Sequence, residues 1–321
     1  MPKEITHWSL ARIAAKALGE GRARKAMEAN PNLYLIGAIT PDTPYYALFG
    51  VKGIFTPVGD NVHSVNGGNS FEHVGRILAA KPSGADENLA LALGISTHIL
   101  ADAVFHPMVY YFTGDYADPD PERRKKAVAR HRRLESLMDI YYVNKLTPPL
   151  DGLLKNMVNA KEAADSNVGR MLSRYFFGAE SNAAQALEAL SHHSWIQRSF
   201  FSQAVSTLIG AAGVFGGLDE YKALFYPPKG SATHEFFLTP ISYLHPVTGD
   251  RDEVTMDQLE QRFVNKVLDF FSGVETALSD GTIMDFMAHT RGPSLETGMA
   301  ETVRPPFKHF ADPSIMAMFD I

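Results

Sequence analysis

The chain has 321 residues, of which 45% are hydrophobic, and a formal net charge of −6 at pH 7. This length and composition predict a globular protein with a substantial buried core. The sequence contains no cysteine, which excludes disulfides, thiolate metal sites and cysteine nucleophiles, so any bound metal must use His, Asp or Glu. The acidic balance argues against duplex nucleic acid as a partner.

The first residues carry no pattern typical of a secretory signal. They read MPKEITHWSLARIAAKALGEG, without an apolar core of about 7 to 15 residues or a small-residue cleavage site. We therefore expect a cytoplasmic location. No stretch approaches the ~18 uninterrupted apolar residues of a membrane-spanning helix, because the longest apolar region, residues 89–112, contains His98, Asp102 and His106.

Helical patterns begin near the amino terminus. The spacing of apolar residues predicts a helix over residues 7–18, with Thr6 as its N-cap. Residues 33–42 form a short apolar run, LYLIGAITPD, that closes with Pro-Asp. Residues 44–69 are rich in Gly, Pro, Asn and aromatic residues, and this composition predicts a long loop.

Three longer helices are predicted in the middle of the chain. Ser70 is a suitable cap for a helix over residues 70–81. Residues 86–112 form a long apolar helix, with Pro107 as a point where it can kink. The pair Asp120-Pro121 is a cap followed by a first-turn proline, which begins a helix ending near Leu146.

The remainder of the chain also favours helices. They are predicted near residues 150–176, 181–190, 195–212, 217–225 and 256–279. The one strand candidate is HEFFLTPISYLHPV, where Pro240 argues against a central strand. We predict an all-α, multi-helix bundle, with residues 1–147 as its core and residues 148–321 as additional helices packed on it in one continuous domain.

Three ionisable residues stand at intervals of four in the long apolar helix: His98, Asp102 and His106. Four residues rotate an α-helix by about 40°, so the three side chains lie on one stripe. Their neighbours are apolar, which predicts a core helix. Burying ionisable groups without partners costs several kcal/mol. Either a divalent cation or an internal salt bridge from Asp102 to a histidine would compensate, and this helix alone leaves both interpretations open.

The next helix repeats the spacing with His131 and Glu135. Two side chains four residues apart can bind one metal from one helix face. The alternative is a solvated ion pair, because the surrounding RKKAVARHRRLES is rich in charge. His7, Asp42 and His63 are each, taken alone, compatible with capping or turn roles, and only their combination with the helical pairs indicates a metal site.

In their order along the chain, these elements resemble the zinc-dependent phospholipase C family. The resemblance is carried by His7, by GAITPD with Asp42, by His63 in a Gly/Asn-rich segment, and by LGISTHILADAVFHP and HRRLE. It covers roughly the first 145 residues and extends to the bacterial phospholipases C and the catalytic domain of glycosylphosphatidylinositol-specific phospholipase D. It implies the helical bundle that these phospholipases share with P1 nuclease, with residues 1–147 as the metal-binding catalytic core.

The resemblance implies two or three bound zinc ions. One ion of a close pair would be held by Asp42, His63, His98 and Asp102. Asp102 would bridge to the second ion, which His7 also binds. The third ion would be held by His106, His131 and Glu135.

This chain departs from the family pattern near His7. The secreted bacterial enzymes bind zinc through an N-terminal Trp, whereas six residues beginning with Met1 precede His7 here. His73, ten residues after His63, is an alternative to His63 as a ligand. His63 better matches the family position, which lies in the loop before a helix.

The implied function is zinc-dependent, phospholipase C-like phosphoester hydrolysis. Metal-activated water would attack a phosphodiester, with Asp42 and Asp102 as the catalytic carboxylates and Asp42 as general base. The expected partner is a phosphoester small molecule or a phospholipid head group. Peripheral membrane contact through the basic run at residues 123–133 is a further expectation, although such a run is also typical of a solvated helix face.

Two other functions are compatible with these residues. The S1/P1-type single-strand nucleases share the same three-zinc bundle. A non-catalytic protein could use metals only to hold its helices together, in which case four protein ligands would close each zinc site.

Overall fold

A computed structural model describes residues 3–48, 52–63, 67–80, 85–145, 154–159, 168–178, 181–202, 204–205, 207–209, 218–227, 232–300 and 304–321. Helices dominate these residues, and the all-α prediction is confirmed. In the first half the helices are α1 (Glu4–Ala17), α2 (Arg22–Ala29), α3 (Pro31–Gly37), α4 (Thr43–Tyr46), α5 (Lys52–Val62), α6 (Glu72–Leu78), α7 (Ala85–Thr113) and α8 (Pro121–Lys145), with a 3-10 turn at Thr40–Asp42.

The second half adds shorter helices and one long one. These are α9 (Leu154–Val158), α10 (Val168–Met171) continued by a π-helical turn (Leu172–Phe177), α11 (Ala183–Ser199), α12 (Asp219–Lys222), α13 (Met256–Ser279), α14 (Ile283–His289) and α15 (Pro313–Met316), with 3-10 turns at Ala232–Leu238 and Ala317–Phe319. Strands β1 (Ile241–Leu244) and β2 (Arg251–Val254) form an antiparallel pair in which Ile241 lies opposite Val254. Because β1 begins directly after Pro240, this proline leaves the ladder intact.

Helix α7 lies at the centre of the molecule. It packs against α1, α2, α3, α6, α8 and α13, and residues 88–110 are buried without interruption. Residues 86–113 are long and apolar enough to cross a membrane by length and composition alone, but their most apolar window is 100% buried inside the protein. Burial of this kind is the property of a core helix that is apolar nearly all round.

Helices α3 and α7 cross in backbone contact at two glycines. A Cβ atom added to Gly94 would lie 2.1 Å from the Tyr34 carbonyl oxygen, and one added to Gly37 would lie 2.5 Å from the Leu91 oxygen. Only residues without a side chain allow this approach. The crossing brings the segment after α3, which carries Asp42, against the α7 turn that carries His98.

The long loop predicted over residues 44–69 is wrong, because α5 occupies much of this segment. Pro57 lies inside α5, and its presence with Gly and Asn misled the prediction from composition. Phe55 and Val62 are fully buried. Burial of this apolar face therefore outweighs the low helix propensity of the segment.

Two predicted caps are also wrong, and one is confirmed. Helix α1 begins at Glu4, so Thr6 lies inside it and donates its hydroxyl hydrogen bond to Asp139 at 2.7 Å. Ser70 precedes α6 by two residues and donates instead to the Pro293 carbonyl. Asp120 does cap α8, because its carboxylate accepts from two first-turn amides at 2.9 and 3.0 Å.

The helices predicted separately over residues 181–190 and 195–212 form one helix, α11, up to Ser199. Asn182 and Gln185 make a reciprocal capping box at its start, which satisfies two amides of its first turn. The domain boundary near residue 147 lies among residues outside those described and stays a prediction.

Candidate metal centre

Eight buried residues from four helices and one turn converge beside α7. We call them the metal-ligand cluster, and none is more than 6% exposed. They come from α1, the 3-10 turn after α3, the end of α5, and the facing sides of α7 and α8. The members are His7, Asp42, His63, His98, Asp102, His106, His131 and Glu135.

Asp102 lies at the centre of the cluster, and its two oxygens face different partners. Its Oδ2 is 3.3 Å from His98 Nε2 and 3.9 Å from His63 Nε2. Its Oδ1 is 3.5 Å from His7 Nε2 and 3.7 Å from His106 Nε2. A carboxylate that presents one oxygen to each of two groups has the arrangement of a bridging ligand.

Asp42 completes the group on the Oδ2 side of Asp102. Its Oδ1 lies 3.3 Å from His63 Nε2 and 3.4 Å from His98 Nε2. The rings of His7 and His98 stack with their centroids 3.8 Å apart. The side chains that the resemblance assigns to a close zinc pair therefore lie next to one another in the structure.

The third group lies one turn further along α7, where α8 crosses it. Glu135 Oε1 is 2.8 Å from His131 Nε2 and 3.7 Å from His106 Nε2. The ring of Tyr116 lies beside that of His131, with centroids 4.4 Å apart. His106 thus faces both Glu135 and Asp102, which links this group to the first two.

Backbone carbonyls orient three of the histidines. Nδ1 of His98, His63 and His106 each lies within hydrogen-bond distance of a carbonyl oxygen, so Nδ1 carries the proton and Nε2 faces the cluster. The acceptors are the carbonyls of Ala38, Gly59 and Leu295, at 2.9, 2.8 and 2.7 Å. Sequence reasoning missed these partners because a carbonyl oxygen has no side-chain signature.

The polar atoms that face the interior of the cluster have few partners within the described part of the chain. Those without a hydrogen bond include Nε2 of His7, His63, His98 and His106, Oδ1 of Asp42 and both carboxylate oxygens of Asp102. Buried polar atoms are almost always satisfied in proteins. Nitrogen and oxygen donors without partners, gathered at one point, fit a divalent cation of the zinc type.

Electrostatics support the same interpretation. Burial lowers the pKa of His7 and of His106 to about 3, so both imidazoles are neutral, as metal ligation requires. Burial also acts to lower the pKa of His98, but the adjacent Asp42 and Asp102 carboxylates raise it to about 10. One protonated histidine offsets only part of the charge of Asp42 and Asp102, whose neighbouring histidines hold both pKa values below the ordinary value in spite of burial. Divalent cations would neutralise the remainder.

His73, the alternative to His63, lies away from the cluster. Its ring packs on Phe176 with centroids 4.9 Å apart, and its Nε2 is 3.5 Å from Asn61 Nδ2. It belongs to none of the groups of close potential metal ligands found among the described residues. The structure therefore places His63, and not His73, beside Asp42.

The basic run on α8 faces acidic residues of the chain itself. Arg123 is 72% exposed and lies 3.5 Å from Asp118. Arg130 pairs with Asp320 at 2.6 Å. The exposure of Arg123 favours the interpretation of a solvated helix face for the start of the run, whereas Arg130 is only 14% exposed and makes a contact within the chain.

Comparison with known families agrees with the geometry. The model of the family described as zinc dependent phospholipase C matches residues 6–194. The match spans more than half of the 321 residues and includes the whole metal-ligand cluster. No curated protein and no solved structure matches the chain. With its helical fold and its buried groups of potential metal ligands, the chain belongs to the zinc-dependent phospholipase C family.

Proposed function

We propose that this protein hydrolyses a phosphodiester of the phospholipase C substrate class, with two or three zinc ions held by the metal-ligand cluster. The position of Asp102 carries the proposal, because its two oxygens face two different sets of imidazoles at 3.3 to 3.9 Å. Multinuclear sites bridged in this way suit phosphoryl transfer, where charge accumulates on several oxygens.

Zinc in this position would lower the pKa of water to about 7 and neutralise the negative charge of the phosphodiester. Asp42 is the group we assign to accept a proton. Burial raises the pKa of Asp42, but the nearby His98 and His63 outweigh burial and bring it well below its ordinary value. The Asp42 carboxylate is therefore ionised at neutral pH, as a metal ligand must be. The same low pKa makes it a weak base, so the proton it accepts would come from water that zinc has already made more acidic.

The ligand groups favour a catalytic centre over purely structural metals. In the proposed assignment, the second ion would have only His7 and Asp102 as protein ligands, and the third would have His106, His131 and Glu135, which form one group of mutually close side chains in the described residues. A zinc ion with two or three protein ligands keeps a position open, whereas structural zinc is closed by four. Open positions are what a reacting phosphoester and water need.

A phospholipid head group or a related small phosphoester is the substrate class that this assignment favours. Contact with a membrane surface would be peripheral, through the exposed part of the α8 basic run, and weak, because neighbouring carboxylates offset part of its charge. The net charge of −6 gives no support to a duplex nucleic acid partner.

The test is hydrolysis by zinc-loaded protein of p-nitrophenylphosphorylcholine, bis-p-nitrophenyl phosphate and single-stranded DNA. We expect turnover of the phosphorylcholine ester above that of the other two, and its loss on chelation of zinc. Cleavage of single-stranded DNA alone would overturn the proposal in favour of the S1/P1 nuclease function. Turnover of none of the three by a zinc-loaded sample would overturn it in favour of a non-catalytic, metal-stabilised protein.

A further inference from the structure

A segment far from the metal-ligand cluster in sequence closes onto it in space. Residues 291–300, which we call the carboxy-terminal strap, lie outside the family match at residues 6–194. They run along the half of α7 that carries His106. Leu295 is fully buried, and its carbonyl oxygen accepts the 2.7 Å hydrogen bond from His106 Nδ1 across 189 positions of sequence.

Two further anchors hold the strap directly after Leu295. Glu296 accepts a 2.9 Å hydrogen bond from the Tyr110 hydroxyl of α7 and pairs through its other oxygen with Arg304. The Thr297 carbonyl accepts from His245 Nε2 at 2.9 Å. These bonds are independent of the His106 contact and hold the strap in a single register against α7.

A glycine allows the strap to approach α7 closely. Gly298 has a φ of +70°, and a Cβ atom at this position would lie 2.3 Å from the carbonyl oxygen of Ala103, which is in the turn before His106. Ala103 directly follows Asp102 in α7 and precedes His106 by three residues. Any larger residue at position 298 must therefore push the strap away from this turn.

We propose that the carboxy-terminal strap is a positioning element for the zinc ion of the His106–His131–Glu135 group. The Leu295 carbonyl fixes the proton of His106 on Nδ1 and turns Nε2 toward Glu135 and Asp102. Outer acceptors of this kind hold a ligating imidazole in orientation and increase its basicity. This inference rests on the proposed zinc function of the cluster.

The three oriented histidines differ in where the carbonyl acceptor of each Nδ1 lies along the chain. His98 and His63 find their acceptors in nearby segments, at Ala38 and Gly59, within the family match. Among the described residues, the acceptor for His106 Nδ1 is the Leu295 carbonyl in the strap. The third group is therefore the one whose metal affinity depends on the folding of the carboxy-terminal part of the chain.

The experiment compares Gly298→Ala with Gly281→Ala in the full chain. Both glycines have a φ of +70°, but a Cβ atom at Gly281 meets nothing within 4 Å, so this control carries the same backbone strain without moving the strap. Zinc bound per chain and the affinity of each zinc are measured by competition with a chromophoric chelator. We expect Gly298→Ala to weaken one zinc by roughly 10- to 100-fold, with the other sites and the Gly281→Ala protein unchanged.

Equal zinc number and affinities in the two variants would overturn the inference. If Gly298→Ala lacks the helical circular dichroism of the wild type, Glu296→Ala replaces it, since this variant frees the strap without adding bulk. Selective weakening of one zinc in Glu296→Ala supports the inference, and wild-type affinities overturn it. Wild-type protein that binds zinc but cleaves no phosphodiester would contradict the proposed function alone. The proposed role of the strap concerns zinc affinity and makes no prediction about turnover.

Discussion

Two clusters of buried polar side chains lie next to each other, and they differ in how their atoms are satisfied. We call the second one the α1 polar cluster; its members are Lys3, Glu4, Thr6, Thr43, Asp139, His193 and Tyr226. Its Asp139 accepts three hydrogen bonds, two from Thr6 and one from Tyr226, at 2.6 to 2.8 Å. Asp102 in the metal-ligand cluster accepts none from any described residue.

The α1 polar cluster is largely closed on itself. His193 joins Glu4 at 2.9 Å and the Thr43 hydroxyl at 3.0 Å, and the Lys3 ammonium lies over the ring of Phe200 at 4.2 Å. Burial lowers the pKa of Lys3 to about 7. Such a network needs no additional ion, because its own donors and acceptors meet, apart from Glu4 Oε2. A buried aspartate without these partners, as at position 102, fits a bound cation in their place.

The largest expected effect comes from making the same Asp→Asn substitution in each of the two clusters. Asp102→Asn removes the charge of the central carboxylate, and we expect the loss of at least one zinc per chain and a fall in phosphodiesterase activity of about 1,000-fold or more. Asp139→Asn should keep its zinc and lose about 1–3 kcal/mol of unfolding free energy, because hydrogen bonds to a buried carboxylate are weakened. Metal analysis, steady-state rates and urea denaturation measure these quantities.

The proposed difference between the two clusters would be contradicted if Asp102→Asn retained the full zinc content of the wild type. It would also be contradicted if Asp139→Asn lost zinc as readily as Asp102→Asn, since the two clusters would then act as one unit.

The crossing of α3 and α7 predicts the next effect. Gly94→Ala places a Cβ atom 2.1 Å from the Tyr34 carbonyl, and we expect a destabilisation of about 1–3 kcal/mol from overpacking. Gly53→Ala is the control, because a Cβ atom there meets nothing within 4 Å; in α5 it should stabilise by about 0.5–1 kcal/mol. Chemical denaturation measures both. A Gly94→Ala protein as stable as the wild type would contradict the backbone contact.

A third prediction concerns pH. The pKa of His98 is raised to about 10, so its imidazole is protonated at pH 7 and must release a proton when zinc binds. The apparent zinc affinity should therefore rise with pH, by about tenfold per unit between pH 6 and 8 for one such proton. Titration calorimetry in buffers of different ionisation enthalpy counts the protons. No proton release at pH 7 would contradict the state assigned to His98.

The smallest effect is expected outside both clusters. Arg123 is 72% exposed beside Asp118 and Asp120, and such surface pairs contribute about 0–1 kcal/mol. Arg123→Ala should leave zinc content unchanged and alter the unfolding free energy by less than about 0.5 kcal/mol. A larger loss of stability, measured by denaturation, would show that the basic run has a structural role.

The parts of the site that follow a local period could be predicted from sequence. His98, Asp102 and His106 lie on one stripe of α7, as the four-residue spacing requires, and His131 with Glu135 repeats it on α8. Their meeting with His7 and Asp42 depends on tertiary contacts that no local period encodes. The resemblance to a family predicted that these residues would meet. The close approach of α3 and α7 at Gly94 explains physically how Asp42 comes to lie beside His98.

Other features depend on interactions that the sequence pattern does not display. Helix α5 forms in spite of Pro57 because Phe55 and Val62 are buried. Thr6 is of a residue type that often caps helices, yet its hydroxyl donates a hydrogen bond to Asp139, which lies 133 positions further along the chain. The strap contributes to the site through the Leu295 carbonyl, which any residue type would provide. Backbone acceptors and long-range partners of this kind become visible only in three dimensions.

The central claim is that zinc satisfies the buried atoms of the metal-ligand cluster. Its most direct test is the number of zinc ions that the purified full chain retains after dialysis, measured by plasma mass spectrometry and confirmed by titration of chelator-treated protein. We expect two or three zinc ions per wild-type chain, with at least one fewer in Asp102→Asn. A wild-type chain that retains no zinc, and that binds none when it is titrated, would contradict the central claim.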